Sequence, residues 1–106
     1  MAAYIVISRT HTRNQEALGR YSELAPTFMA GHTAKFLARF GPFEVKEGAG
    51  VEGVAIIEFP TIEEAKAWYD SPAYQEASRH RYLGADYSII IVDGSSAVPA
   101  PRPIPA

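Results

Sequence analysis

Cysteine is absent from this 106-residue chain. That removes disulfides, zinc–thiolate sites, Fe–S clusters and thiol catalysis together. Histidine is scarce: His11, His32 and His80 fall on different segments, and none forms a ligand spacing such as His-x-x-x-His, so no metal site is expected. No excess of charge of one sign exists, with 10 basic against 12 acidic residues and a net charge of −2. A general binder of nucleic acid or anionic membrane is therefore not expected. No apolar run approaches the roughly 20 residues of a membrane helix. The start, Met1 to Arg9, lacks a basic region and its apolar run is too short for a signal peptide. A soluble cytoplasmic protein is the expectation. Gly48-x-Gly50-x-x-Gly53 sits in a hairpin turn rather than between a strand and a helix, so no nucleotide fingerprint is supported. Neither a cofactor nor a metal is called for.

What is present is organised. Four apolar runs, Ala3–Arg9, Ala34–Lys46, Val51–Phe59 and Asp86–Asp93, read as strands, three of them rich in β-branched and aromatic residues. Gly41-Pro42 interrupts the second, which predicts a bulge or an edge position. Glu47 to Gly50 supplies a hairpin turn. From Asn14 to Ala30, Leu18, Tyr21, Leu24 or Ala25, and Phe28 recur at helical spacing. Asn14 suits the N-cap, Pro26 should kink or split the helix, and Gly31 is a natural stop. Thr61-Ile-Glu-Glu64 fits a capping box. Ser71-Pro72 starts a further helix that runs to about Leu83 and ends at Gly84. Residues 95–106 carry four of the eight prolines and read as an extended tail. The organisation is thus one domain over 1–94 and a Pro-rich tail over 95–106.

The order β-α-β-β-α-β predicts an α+β, ferredoxin-like fold with an antiparallel sheet. The strands are apolar on both sides: Tyr87, Ile89 and Ile91 alternate with Ile90 and Val92, and Tyr4 and Val6 with Ile5 and Ile7. Two helices cover one face only, so a second surface is needed. A second copy packed sheet to sheet is the simplest cover, and a homodimer is expected. The tail or a bent second strand is the alternative cover.

Ala3-Tyr-Ile-Val-Ile7, Phe36-Leu-Ala-Arg-Phe-Gly41, Ile57-Glu-Phe-Pro60 and above all Ala67-Trp-Tyr-Asp-Ser-Pro-Ala-Tyr-Gln75 resemble the DUF1330 family of the dimeric α/β-barrel superfamily. The resemblance spans about residues 3–94. It implies a ferredoxin-like protomer whose sheet pairs with a partner's, and a small-molecule cleft between sheet and helices. It implies no settled activity. Superfamily relatives include cofactor-independent monooxygenases, polyketide cyclases, muconolactone isomerases and haem-degrading enzymes, and carrying one of those activities over would be analogy of fold alone. The oxygenase relatives often place Asn and Trp in the cleft. Here the one asparagine, Asn14, reads as a cap.

Several side chains are candidates for chemistry. Arg39 and Glu58 are charged residues inside apolar strands. A turn centred on Gly48-Ala49 would set them opposite each other on one sheet face, unless a bulge shifts the register. Arg39 would then bind an anionic or enolate oxygen while Glu58 moves a proton; a structural ion pair is the other reading. His32, after the first helix, is a second general-base candidate. Trp68 and Tyr74, at a helix break, are candidates to frame a substrate, and Tyr21 is a further pocket phenol. For these aromatics, core packing is the alternative. Arg81, near a helix C-terminus, either complements the dipole or turns to a substrate carboxylate.

Two functions remain open at this stage. One is a cofactor-independent enzyme of isomerase, cyclase or oxygenase-like proton-transfer chemistry, acting on a small carbonyl or aromatic compound. The other is a non-catalytic homodimeric binding or stress-associated module. A small-molecule ligand and a second copy of the chain are the partners expected.

Overall fold

The structure is a computed structural model, and it describes residues 2–94. The Pro-rich tail read over 95–106 lies outside the described residues. The elements are β1 (Ala3–Thr12), α1 (Gln15–Glu23), α2 (Ala25–Met29), β2 (Lys35–Arg39), β3 (Gly53–Phe59), α3 (Ile62–Asp70), α4 (Pro72–Gly84) and β4 (Ala85–Asp93). The four strands form one antiparallel sheet in the order β2-β3-β1-β4. This is the ferredoxin-like arrangement expected from the element order.

The helix boundaries follow local chemistry. The Asn14 side chain accepts from the Ala17 N–H at 3.1 Å and opens α1. The periodic stretch breaks at Leu24, and Pro26 sits in the first turn of α2, where its missing N–H costs nothing. Thr61 caps α3 by accepting from the Glu64 N–H at 3.1 Å. Ser71 caps α4 with Pro72 at its first position. Gly84 is the last residue of α4, as expected, and serves a second purpose. A side-chain carbon there would fall 2.7 Å from Leu18 Cγ and 3.1 Å from the Leu18 backbone nitrogen. The missing side chain lets the end of α4 close on α1, and the Gly84 carbonyl accepts from the N–H groups of Arg13 and Asn14.

The second strand differs from its expectation. It spans Lys35–Arg39 rather than reaching Lys46, and the connection from 40 to 52 is a long loop. A bulge at Leu37 shifts the β2–β3 register between Phe36 and Ala38. Lys35 therefore stands opposite Glu58, and Arg39 opposite Ala55. The expected pairing of Arg39 with Glu58 is corrected: both the long loop and the bulge move the register away from the one that a tight turn at Gly48 would impose.

The inner face carries Ala3, Ile5, Ile7, Ala55, Ile57 and Phe59, all buried under the helices with Phe28, Ala65, Trp68, Tyr74 and Ala77. On the outer face, Tyr4 stands beside Glu58 and Val92, and Val6 beside Ile56 and Ile90. Ile90 is 56% exposed and Val92 45%, and Leu37 of the bulge is 48% exposed. Both faces are apolar, and the described helices bury one.

Candidate functional site

The bulge at Leu37 also decides where Arg39 points. Because Leu37 is the extra residue, Phe36 shares the inner face with Ile57, and Arg39 shares it with Ala55. A cavity of about 110 Å³ lies there, between the sheet and the first two helices. Its walls include the rings of Tyr21, Phe28, Phe36, Phe40, Trp68 and Tyr87. Among the described residues, Arg39 is the single charged side chain lining it, and Ser22 lies on the same wall. An engineered apolar cavity of about 150 Å³ holds benzene, so this somewhat smaller space sets one ring as the upper limit of what it takes.

Local structure holds these walls in place. Phe28 and Trp68 cross edge to face with ring centroids 6.0 Å apart, a favoured aromatic geometry. The Trp68 indole N–H donates to the Phe28 carbonyl at 3.0 Å. That carbonyl belongs to a helix of one turn, where acceptors lack intrahelical donors. Phe40 follows β2 with φ 56°, a left-handed conformation uncommon for a bulky residue. Its N–H donates to the Val54 carbonyl at 2.9 Å, and the Arg9 guanidinium lies 5.1 Å from its ring centre. Gly53 makes room for it, since a side-chain carbon at 53 would come within 2.7 Å of the Phe40 ring. The Arg39 guanidinium lies 4.5 Å from the ring centre of Phe36, a cation–π distance.

Behind the cavity wall, the hydroxyls of Tyr21 and Tyr74 are 2.8 Å apart. Burial, reinforced by Tyr74, pushes the Tyr21 phenol well above its ordinary range. Burial also raises Tyr74, against the opposing pull of Arg81. Arg81 is 4% exposed, with its guanidinium 4.6 Å from the ring centre of Tyr82 and 5.3 Å from that of Tyr87.

The candidates from sequence thus separate into groups. Arg39, Tyr21 and Trp68 line the cavity. Tyr74 and Arg81 stand behind it, joined to it through Tyr21. Glu58 is elsewhere: it lies on the outer face and borders a shallow hollow with Thr33, Ala34, Lys35 and Pro60. His32 follows α2, its N–H donating to the Met29 carbonyl at 3.2 Å, and it is not part of the cavity lining. Phe36, Phe40 and Tyr87 line the cavity without having been singled out from sequence. Alternation along β4 places Tyr87 with Ile89 and Ile91, so its side was readable; the bulge hid Phe36 and Phe40. Among the described residues no cluster of three or more His, Asp or Glu side chains is placed to hold a metal ion, and no helix is long and apolar enough to cross a membrane.

Comparison with known proteins agrees with this architecture. The family described as Domain of unknown function (DUF1330) matches residues 2–95. Among curated proteins, none matches the chain. Among solved structures, a protein of unknown function from Rhodopseudomonas palustris is 16% identical, with 87% of this chain and 81% of that one aligned at a TM-score of 0.66. A dimeric ferredoxin-like protein of unknown function from Thermobifida fusca is 11% identical over 88% of this chain and 91% of its own, at 0.60. SnoaB, a cofactor-independent oxygenase from Streptomyces nogalater, is 12% identical over 92% and 96%, at 0.54. Identities this low carry the fold and no more.

Proposed function

The chain belongs to the DUF1330 family, and from that premise we propose that it is a small-molecule-binding protein whose inner cavity takes a compact aromatic or carbonyl compound. The observation that carries this reading is the lining: among the described residues, six aromatic rings around about 110 Å³, with Arg39 as the only charge. Apolar walls with few polar groups are the usual make-up of a ligand site. Arg39 faces the anionic or negatively polarised oxygen of the ligand. Among the described residues the cavity lining contains no carboxylate and no imidazole, so binding is better supported than proton transfer by Glu58 or His32. The likeness of fold to a cofactor-independent oxygenase is compatible with a small-molecule role. The test is a thermal-shift and calorimetric screen of single-ring phenols, benzoates and cyclic ketones. Saturable binding that weakens about tenfold in Arg39→Ala supports the reading. Absence of binding across all three classes rejects it.

The second part of the reading is a homodimer through the outer sheet face. Exposed Leu37, Ile90 and Val92 form with Val6 and Ile56 an apolar surface of a kind that isolated chains seldom leave open. Solved neighbours of the same fold are described as dimeric. Native mass spectrometry at low micromolar concentration tests it, and a monomer throughout the concentration range rejects it.

A further inference from the structure

Phe40 follows β2 with φ 56°, a backbone conformation that glycine adopts freely and a bulky residue rarely does. It is also 42% exposed. Among the described aromatic residues that line the cavity it is the one that is exposed; Phe28 and Trp68 are buried, and Tyr21, Phe36 and Tyr87 are half-buried. Neither backbone preference nor burial therefore accounts for a phenyl ring at this position. Strain of this kind, held in place beside a cavity, points to a role in the cavity.

Three contacts hold the ring. The Phe40 N–H donates to the Val54 carbonyl at 2.9 Å, which fixes the backbone. Gly53 offers the ring bare backbone: a side-chain carbon there would fall 2.7 Å from Phe40 Cδ1 and 3.4 Å from Cε1. The Arg9 guanidinium lies over the ring, 5.1 Å from its centre. Arg9 Nε is also 3.3 Å from the carboxylate of Glu52, at the far end of the loop that Phe40 begins. One side chain of β1 thus meets both ends of the loop from 40 to 52.

The geometry points to Phe40 as the residue that limits the ligand to one ring, with Gly53 and Arg9 as the positioning residues that seat it. The cavity measures about 110 Å³, and a phenyl group withdrawn from its lining leaves a space that its surroundings fill only in part, room for about one ring more. A side chain at 53 would displace the Phe40 ring from its seat and reshape the cavity, although Gly53 does not line it. This inference rests on the cavity being a ligand site.

The probes are two matched pairs, phenol with 2-naphthol and benzoate with 2-naphthoate, measured by calorimetry. The wild-type protein is expected to bind the single ring of each pair about tenfold more tightly than the double ring. Phe40→Gly is expected to bring the two within about twofold of each other. Gly53→Ala is expected to weaken single-ring binding about tenfold, but by no more than about twofold when Phe40→Gly is also present. Arg9→Met keeps a long apolar stem and loses the cation; it is expected to weaken single-ring binding about threefold, again only while Phe40 is in place. A general effect on folding would weaken binding in both backgrounds, and Arg9→Met decides the matter should Gly53→Ala fold poorly. Equal affinity of the wild type for one ring and two, or a preference that survives Phe40→Gly, overturns the size limit while the cavity reading survives. Losses that persist undiminished beside Phe40→Gly overturn the seat. Binding of no probe overturns the cavity reading and the size limit with it.

Discussion

The indole of Trp68 on α3 and the carbonyl of Phe28 on α2 are joined by a hydrogen bond of 3.0 Å that ties the two helical halves of the fold across the cavity wall. Trp68 is 1% exposed and Phe28 5%, so neither group has water as a substitute partner. Replacing Trp68 by Phe leaves that carbonyl without its donor and removes packing volume. A loss of about 2–4 kcal/mol in urea unfolding is expected.

Gly84 and Leu18 mark the other seam, between α4 and α1. Gly84→Ala places a methyl group against Leu18 Cγ and the Leu18 backbone. The expected cost is about 1–3 kcal/mol from overpacking. The companion substitution Gly19→Ala, where a side-chain carbon meets nothing within 4 Å, should be neutral or stabilising. Paired denaturation curves check both.

Phe40 lines the cavity at positive φ. Phe40→Gly relieves the backbone but opens the wall. Stability should stay within about 1 kcal/mol, since strain relief offsets the lost ring contact and the added freedom of glycine. Affinity for a single-ring ligand should fall about tenfold. Calorimetry on the same preparation separates the two effects.

Glu52 holds the loop that carries Phe40 back to β1. Its carboxylate accepts from the Thr12 hydroxyl at 2.5 Å and the Thr12 N–H at 3.0 Å, with Arg9 Nε at 3.3 Å. The Thr12 hydroxyl, then the Thr12 backbone, lower its pKa below the ordinary 4.5. A depressed carboxylate contributes stability that is complete above its unfolded-state pKa and is lost as pH falls through the folded one. Melting temperature should therefore decline below about pH 4.5, and Glu52→Gln should flatten that part of the profile.

Ile90 and Val92 stand on the outer face of β4, exposed in the single chain. Ile90→Lys puts a charge at the centre of the proposed sheet-to-sheet contact. Sedimentation should show the dimer dissociating at least about tenfold more readily, with the circular dichroism of the protomer unchanged.

Much of this fold was legible because its cues are local. Asn14, Thr61 and Ser71 cap the helices they were expected to cap, and Pro26 divides the first helical stretch beside Leu24. The two-sided apolar character of β1 and β4 could be counted off the residues. Register was not legible in the same way. Pairing of β2 with β3 depends on a loop from 40 to 52 and on the extra residue at Leu37, and neither leaves a local pattern. That is why Arg39 and Glu58 were expected together and lie on opposite faces. The cavity was legible in part. Trp68, Tyr21 and Arg39 are polar-tipped or charged residues in apolar surroundings, which drew attention to them. Phe36 and Phe40 carry no such mark and enter through the bulge.

The bulge at Leu37 works as a parity switch. Side chains alternate along a strand, so whether Leu37 bulges or pairs decides the face of everything beyond it. Were Leu37 to pair in regular register, Arg39 would stand opposite Val54 on the face that carries Glu58, and the chamber would lose the one cation among its described lining residues. One bulge in a short edge strand therefore separates a protomer with a cation beside its chamber from one with that cation on the outer face, while the other three strands keep their register.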